Sequence, residues 1–364
     1  VSRELTGFIP SVALNANGEQ AGEDQIIRIP VVPSVATSTA VTPGLYAPDS
    51  GDQTIGYTDM SITKSQMVPV RWNGEQQKVY SSNGTMISTF SNQVAQAMRT
   101  LVNEIEADIG ATYTLASRAY GIAGSAPFSA SLADAAYAKK ILDDNGAPQL
   151  GRSLVVDTTA GVNLRTLTHL TQANTAGSDD PLRQGVLLPI FGLDIRESAQ
   201  VASHTSGTAT GFDNTGGAAI GATTSTVDGS DSGTILAGDI VTWVGDTNKY
   251  VVQSATASGA ATGNIVIAEP GLRETLTATV EGALSVDYSA NMFFHRDAIQ
   301  LITRVPAMPE GGDMADDIML VTDPRTGLTF QICVYKQYKR VHYEVSIAWG
   351  CSIIKPEHTG ILLG

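Results

Sequence analysis

One apolar stripe limits what this chain can fold into more than any other feature. Ile87, Phe90, Val94, Ala97, Met98, Leu101, Ile105, Ile109 and Tyr113 recur at steps of three or four, the repeat of a single helix face. At 3.6 residues per turn the stripe predicts a helix of about seven turns, long enough to act as a mechanical spine. Asn83-Gly84-Thr85 marks its start, with Thr85 as the expected N-cap, and Gly121 lies just past its end. Phe90, Val94, Met98, Leu101 and Ile105 are its expected core residues.

Upstream of the spine the pattern is extended. Residues 1–24 mix short apolar pieces with turn residues and read as an arm. The run from Gln25, Ile26-Ile27-Arg28-Ile29-Pro30-Val31-Val32, predicts a strand, and a second is predicted from Met60 to Trp72. Between them lie about 25 residues rich in Pro, Gly and Asp, too long for an ordinary turn and unable to build a core of their own. Their only sizeable apolar residues near the tip are Leu45 and Tyr46, set among Pro43, Asp49 and Asp52. These five are the candidate contact residues of a loop tip that rests on another subunit.

Downstream, a helix is expected from Ser131 to Leu142, a buried strand at Leu154-Val155-Val156-Asp157, a short helix from Thr158 to Leu170, and paired strands between Gln184 and Ala202. Residues 203–233 are almost entirely Ser, Thr, Gly, Ala and Asp and read as a linker without a core. Short strands at 238–243, 249–252, 264–267 and 275–280 then suggest a small all-β module. Mixed structure from Met292 to Arg304 leads to an acidic loop at 309–317. Strands at 318–321, 328–338 and 341–353 follow, the last two forming a hairpin that turns near Lys339-Arg340.

With 364 residues, two or three domains are expected. Apolar residues make up 42% and charged residues 16%, so much of the surface is expected to meet other protein. A net charge of -14 opposes tight binding to phosphate backbones. Cys333 and Cys351 are too few for a disulfide framework and have no zinc-type spacing; both are expected to be buried thiols of a protein made in a reducing compartment. No apolar run reaches the roughly 20 residues of a membrane span, and the opening residues lack the charged and apolar regions of a signal peptide. The chain opens on Val1 rather than Met, so an upstream piece is expected.

No catalytic constellation emerges. There is no phosphate-binding Gly-x-x-x-x-Gly-Lys loop, and Gly124-Ser125 lacks the second Gly of a nucleophile elbow. His169, His204, His295, His342 and His358 are scattered and read as ordinary surface or core histidines. The run Asp228-Gly229-Ser230-Asp231-Ser232-Gly233 with Asp239 only partly matches a calcium loop. Asp313, Asp316 and Asp317 read as a solvated loop, and Lys336, Lys339 and Arg340 as a hairpin tip. No cofactor and no metal is expected, and an enzyme has no residues to stand on. A bacterial surface or adhesin-type β-rich protein and an uncharacterised hydrolase are the alternatives.

The order of parts, with four local stretches, carries a family resemblance. Ala237-Gly238-Asp239-Ile240-Val241-Thr242-Trp243, the segment from Asn291 to Ile299, the pair Arg325–Tyr335 and Arg340–Cys351, and the segment from Pro189 to Ser198 occur in that family's pattern. The chain resembles the Hong Kong 97-type coat proteins of tailed bacteriophages, and more narrowly the Salmonella podovirus branch with its inserted β domain. The resemblance implies an α+β fold with an N-terminal arm (1–24), an extended loop hairpin (25–80), a peripheral domain with the spine helix and the first part of an axial domain (81–202), an inserted β module (203–289) and the remainder of both domains (290–364). It implies a homo-oligomer of hexamers and pentamers forming an icosahedral head. Its partners would be scaffolding, portal and decoration proteins, with double-stranded DNA enclosed without sequence-specific binding and no membrane contact. Such a protein is made in the host bacterial cytoplasm and resides in the virion.

Overall fold

The computed structural model describes residues 6–22, 25–31, 41, 43–44, 55–172, 185, 187, 189–228, 233–256 and 262–364. The first half of the chain contributes strands β1 (Ala13–Ala21), β2 (Ile26–Val31), β3 (Gly56–Ser61), β4 (Lys64–Asn73), β5 (Arg118–Tyr120), β6 (Arg152–Val156) and β7 (Asp194–Glu197). Helices α1 (Gly74–Ser82), α2 (Met86–Ala111), α3 (Ala133–Asp144), α4 (Thr158–Thr166) and α5 (Thr168–Thr171) lie among them. Seven strands follow in the next stretch: β8 (Ser203–His204), β9 (Phe212–Asn214), β10 (Thr224–Asp228), β11 (Ile240–Trp243), β12 (Lys249–Ala255), β13 (Gly263–Ile267) and β14 (Val280–Leu284). The chain closes with β15 (Tyr288–His295), β16 (Ile299–Pro306), β17 (Asp317–Thr322), β18 (Thr329–Gln337), β19 (Arg340–Ile353) and β20 (Thr359–Leu363). The fold is mixed α+β.

The spine forms as its stripe predicts, with two differences. The helix stops at Ala111 and tightens into a 3-10 turn over Thr112–Leu115, so Tyr113 leaves the helix proper. Thr85 stands at the N-cap position but makes no side-chain cap; the helix ahead of it, α1, is instead capped by a reciprocal Asn73–Gln76 box that the sequence reading passed over. The short helix expected to Leu170 breaks at Leu167, whose backbone is extended, giving α4 and α5.

β19 organises the first sheet. One edge pairs with β4 from Arg340 to Trp349, and the opposite edge takes β18 through Ser346 and β16 from Ala348 onward. β1 adds in parallel to β16 and β17 adds outside β18. The segment read as an arm contributes β1 to this sheet, and Phe8 is fully buried, its ring stacked on Phe294. Gly350 has no alternative, because a Cβ there would lie 2.2 Å from the Ser61 carbonyl where the β2–β3 hairpin leaves the sheet.

Polar residues of α2 fix it onto this sheet. Trp72 on β4 donates its indole N–H to Gln93 at 2.5 Å, and Trp349 on β19 donates to Asp108 at 2.7 Å, where Lys64 also pairs at 2.6 Å. Burial is uneven along the stripe. Leu101, Ile105 and Ile109 are fully buried, Phe90, Val94 and Met98 are half-buried, and Ile87 is 86% exposed.

The second sheet runs β12-β5-β20-β15-β6-β7, with β8 also on β15. β7 pairs in parallel with β6, so the expected strand pair between Gln184 and Ala202 reduces to β7 and a one-bridge turn, Ile190 to Leu193. Six strands form a closed antiparallel ring, β11-β14-β9-β10-β13-β12 and back to β11. Their core gathers Phe212, Val227, Val241, Trp243, Tyr250, Val252, Ile265 and Ile267. Gly282 is needed there, since a Cβ would strike the Phe212 and Trp243 rings.

This ring corrects two expectations. Residues 203–233 are not a linker, because β8, β9 and β10 lie within them. A closed ring takes its stability from backbone pairing on both sides of each strand, and β10 needs only alternate inward residues, Ser225 and Val227, which composition does not reveal. The strand expected at 275–280 is displaced: Leu276 makes a single bridge to Ala218, and β14 begins at Val280.

The graded burial of α2 makes a prediction. Leu101→Ala should cost about 2–5 kcal/mol, as large-to-small core changes do, whereas Ile87→Ala should stay within about 0.5 kcal/mol. Denaturant melts of the two variants beside the parent provide the measurement.

Candidate functional site

The β2–β3 hairpin is held to the body at its base alone among the described residues. Among the described residues β2 and β3 pair only with each other, from Ile26↔Ser61 to Val31↔Gly56, so the strand expected from Met60 to Trp72 divides, its first residues ending β3 and those from Lys64 forming β4 on β19. Its base is anchored, with Met60 and Ile62 packed against Ile302 and Ala348. Ile26 at the base and Ile55 and Tyr57 farther out are exposed, and an Arg28–Asp59 ion pair lies on the surface with Arg28 stacked 3.8 Å from the Tyr57 ring. Such exposed pairs contribute little. Of the loop-tip candidates, Pro43 is exposed, and Leu45, Tyr46, Asp49 and Asp52 lie outside the described residues.

The spine candidates divide between two roles. Leu101 and Ile105 belong to the main core. Phe90, Val94 and Met98 instead wall a groove of about 500 Å³, whose other wall is Met319 and Val321 of β17 with Ile332 and Val334 of β18. Among the described residues β17 is the free margin of its sheet, and Ile318, Met319 and Leu320 on it are all exposed.

Two buried polar joints escaped the sequence reading. The Glu106 carboxylate, on α2 beside the stripe, is 1% exposed and accepts the backbone N–H groups of Gly7, Phe8 and Ile9 at 3.3, 3.1 and 2.8 Å, with the Ser198 hydroxyl at 3.0 Å. Burial pushes this carboxyl above the usual carboxylate range, opposed by those four hydrogen bonds. Spacings of 97 to 99 residues leave no local signal for such a contact.

The second joint sets His204 between Tyr113, 2.8 Å from its Nδ1, and Asp239, 2.8 Å from its Nε2. Asp239 also accepts the N–H groups of Gly207 and Leu236, and Tyr288 donates to the Gly238 carbonyl. An aspartate, a histidine and a phenol in line suggest proton relay. However, all of these side chains are buried, and burial, followed by the Asp239 charge for Tyr113 and by the Tyr113 phenol and then Asp239 for Tyr288, pushes both phenols upward. The arrangement holds the end of α2, β8, β11 and β15 together. With both carboxylate oxygens engaged, Asp239 is also unsuited to the partial calcium match, whose residues 229–232 lie outside the described residues.

The remaining candidates are surface or packing groups. Asp313 is held by Tyr335 and the Ala315 N–H, and Asp316 pairs with Lys336 at 2.7 Å. Tyr338 and Lys339 form the β18–β19 turn, and Arg340 opens β19. Cys333 is buried; Cys351 is half-buried, and its thiol is pushed up to about 12 by burial. Among the described residues no group of three or more His, Cys, Asp or Glu side chains could hold a metal ion, and no helix is long and apolar enough to cross a membrane.

No protein-family model matches the chain, and no curated protein matches it. Solved structures do. The capsid structure of the cyanophage P-SCSP1u aligns with a TM-score of 0.51 at 11% identity, over 100% of this chain and 89% of that one. The capsid of a native GTA particle gives 0.49 at 8% identity over 100% and 91%, and the bacteriophage PhiM1 mature capsid gives 0.48 at 11% over 100% and 88%. The chain has the fold of a phage capsid protein.

Two predictions follow from the buried groups. Glu106→Ala leaves three N–H groups unpaired in a dry site and should cost about 3 kcal/mol or more. Because the Glu106 pKa is raised in the folded state, its contribution is fullest below the ordinary glutamate range and is lost as pH rises through its own value, so the parent's advantage over this variant should shrink with rising pH in denaturant melts. His358 moves the other way, lowered from 6.5 to about 4, mainly by burial and then by Lys355, His295 and Arg152. The parent should therefore lose stability as pH falls from about 6.5 toward 4, and thermal melts of His358→Asn should lack that part of the loss.

Proposed function

We propose that this chain is the structural subunit of a tailed-phage head, assembling through hexamers and pentamers into an icosahedral shell around double-stranded DNA, and that it is not an enzyme. The observation that carries this reading is the fold likeness to the P-SCSP1u capsid over the whole of the chain. Two features support it: a hairpin that leaves the body anchored at its base alone, and an apolar sheet margin, both read from the described residues.

The finer layout belongs to the same proposal. Residues 1–24 are the arm, 25–80 the extended loop, 81–202 the peripheral domain with the first axial part, 203–289 the inserted β module, and 290–364 the remainder of both domains. The closed six-stranded ring between Phe212 and Leu284 supports placing the protein in the branch with an inserted β domain, such as the Salmonella podovirus coat group. DNA is enclosed without sequence-specific contacts, as a net charge of -14 favours. Scaffolding, portal and decoration proteins are the expected partners, with no cofactor and no membrane. The protein is made in the bacterial cytoplasm and resides in the virion.

In this reading the loop between β2 and β3, with Pro43, Leu45, Tyr46, Asp49 and Asp52 at its tip, rests on a neighbouring subunit. Isolated two-stranded hairpins are marginal in water, so its strands need that support. Electron microscopy and sedimentation of the full chain should show rings or closed shells; a monomer at every concentration would contradict the proposal. Replacing the segment from Ser38 to Gly56 with a tight turn should leave the melt of the monomer nearly unchanged and abolish or weaken shell formation. Normal shells from the shortened chain would remove the loop's intersubunit role.

A further inference from the structure

The outer margin of the β19 sheet exposes more apolar surface than a water-facing edge normally does. β17 ends the sheet, and its residues Ile318, Met319 and Leu320 are 47%, 54% and 51% exposed. Natural edges of this kind are blunted by lysine, proline or a bulge. From Ile318 to Val321 the strand has none of these.

Its backbone is also open. The Asp323 N–H bonds the Leu328 carbonyl in the same register that pairs Asp317 with Val334, so the odd-numbered residues turn their backbone groups toward β18. By alternation Ile318 and Leu320 turn their N–H and C=O groups outward. Side chains alternate as well: Met319 and Val321 line the groove against Phe90, Val94 and Met98, which leaves Ile318 and Leu320 on the opposite face. A partner strand laid along β17 would satisfy the backbone and cover apolar side chains on both faces together.

Among the described residues the two-stranded hairpin cannot supply that partner. The β2–β3 hairpin springs from the sheet beside β4, and β19 and β18 stand between it and β17. Among the described residues no other strand reaches this edge, and β17 is complementary to itself. A twofold axis perpendicular to the sheet keeps each face on its own side, so residues of like parity stand opposite one another. Centring the pair on Leu320 would set Asp317 against the partner's Asp323, a repulsive contact. Centring it on Met319 sets Ile318 against the partner's Leu320 and Asp317 against the partner's Val321, with no like charges opposed.

We infer that β17 pairs antiparallel with β17 of a second copy about a twofold axis, with Met319 facing the partner's Met319. Ile318 and the partner's Leu320 exchange backbone hydrogen bonds on either side of the axis. The two grooves beside α2 then open onto one face of a continuous sheet and form one apolar trough. Strand pairing alone buries less than the roughly 1,200 Å² of a stable interface. The contact therefore persists where other interfaces already concentrate the copies, and to that extent it rests on the shell reading.

Cysteine trapping tests the pairing independently of shell formation. Opposed residues of an antiparallel pair bring Cα atoms to about 4.5–5.5 Å, within disulfide reach. The Met319→Cys chain, oxidised mildly at assembly concentration, should give a disulfide dimer on a non-reducing gel. Leu320→Cys should give far less, and adding Leu320→Lys to Met319→Cys should abolish the band. The parent, with its own Cys333 and Cys351, sets the background, and sedimentation of the same samples reads assembly separately. A Met319→Cys chain with no dimer above background overturns the pairing, as does one that couples instead to a tagged Tyr57→Cys chain, which would make the hairpin the occupant. Shells without the dimer remove the pairing and leave the shell reading; a dimer without shells does the reverse.

Discussion

The Glu106 carboxylate is the contact on which the arrangement of the body depends. A carboxylate at 1% exposure must have its lone pairs filled, and here they are filled by three consecutive backbone N–H groups of the N-terminal segment and by Ser198 at the end of β7. One side chain on the spine thereby fixes where β1 enters the first sheet and where the chain turns from β7 toward the closed ring. Packing does the rest, with Phe8 on Phe294 and the buried half of α2 beneath. Removing the carboxylate would leave three N–H groups of the N-terminal segment unpaired at the point where that segment, the spine and the β7 exit meet.

The molecule treats its strand edges in two opposite ways. Six strands abolish their edges by closing on one another, and the ring is joined to the body through β12 on β5 and through the Tyr113–His204–Asp239 joint. The β2–β3 hairpin and β17 keep their edges. Closed edges make a part whose backbone is satisfied within one chain, whereas open apolar edges leave backbone and side chains uncovered among the described residues. The same division runs along α2, whose last turns serve the core of one subunit while its first turns wall an exposed groove.

Much of this was legible in the sequence wherever a local period carried the information. The stripe from Ile87 to Ile109, the β18–β19 hairpin around Lys339 and the buried run at Leu154–Val156 all formed as read. Reading failed where stability is non-local. The Ser/Thr/Gly-rich stretch from 203 to 233 lacks apolar content, yet it supplies strands whose hydrogen bonds close a ring with residues up to 284. Likewise the stripe could not separate Phe90, Val94 and Met98 from Leu101 and Ile105, since a periodic pattern marks a face without saying what covers it.

The sequence by itself determined the spine, the β18–β19 hairpin and the unusual length of the loop before the spine, because each is set by residues close together in the chain. Only the tertiary structure decided that the ring closes, that Glu106 clasps a segment nearly 100 residues away, that His204 meets Asp239, and that β17 is a margin rather than an interior strand. Those outcomes depend on which distant backbone groups and charges find one another when water is excluded. The energy of an unpaired buried group settles that choice, and no window of local sequence contains it.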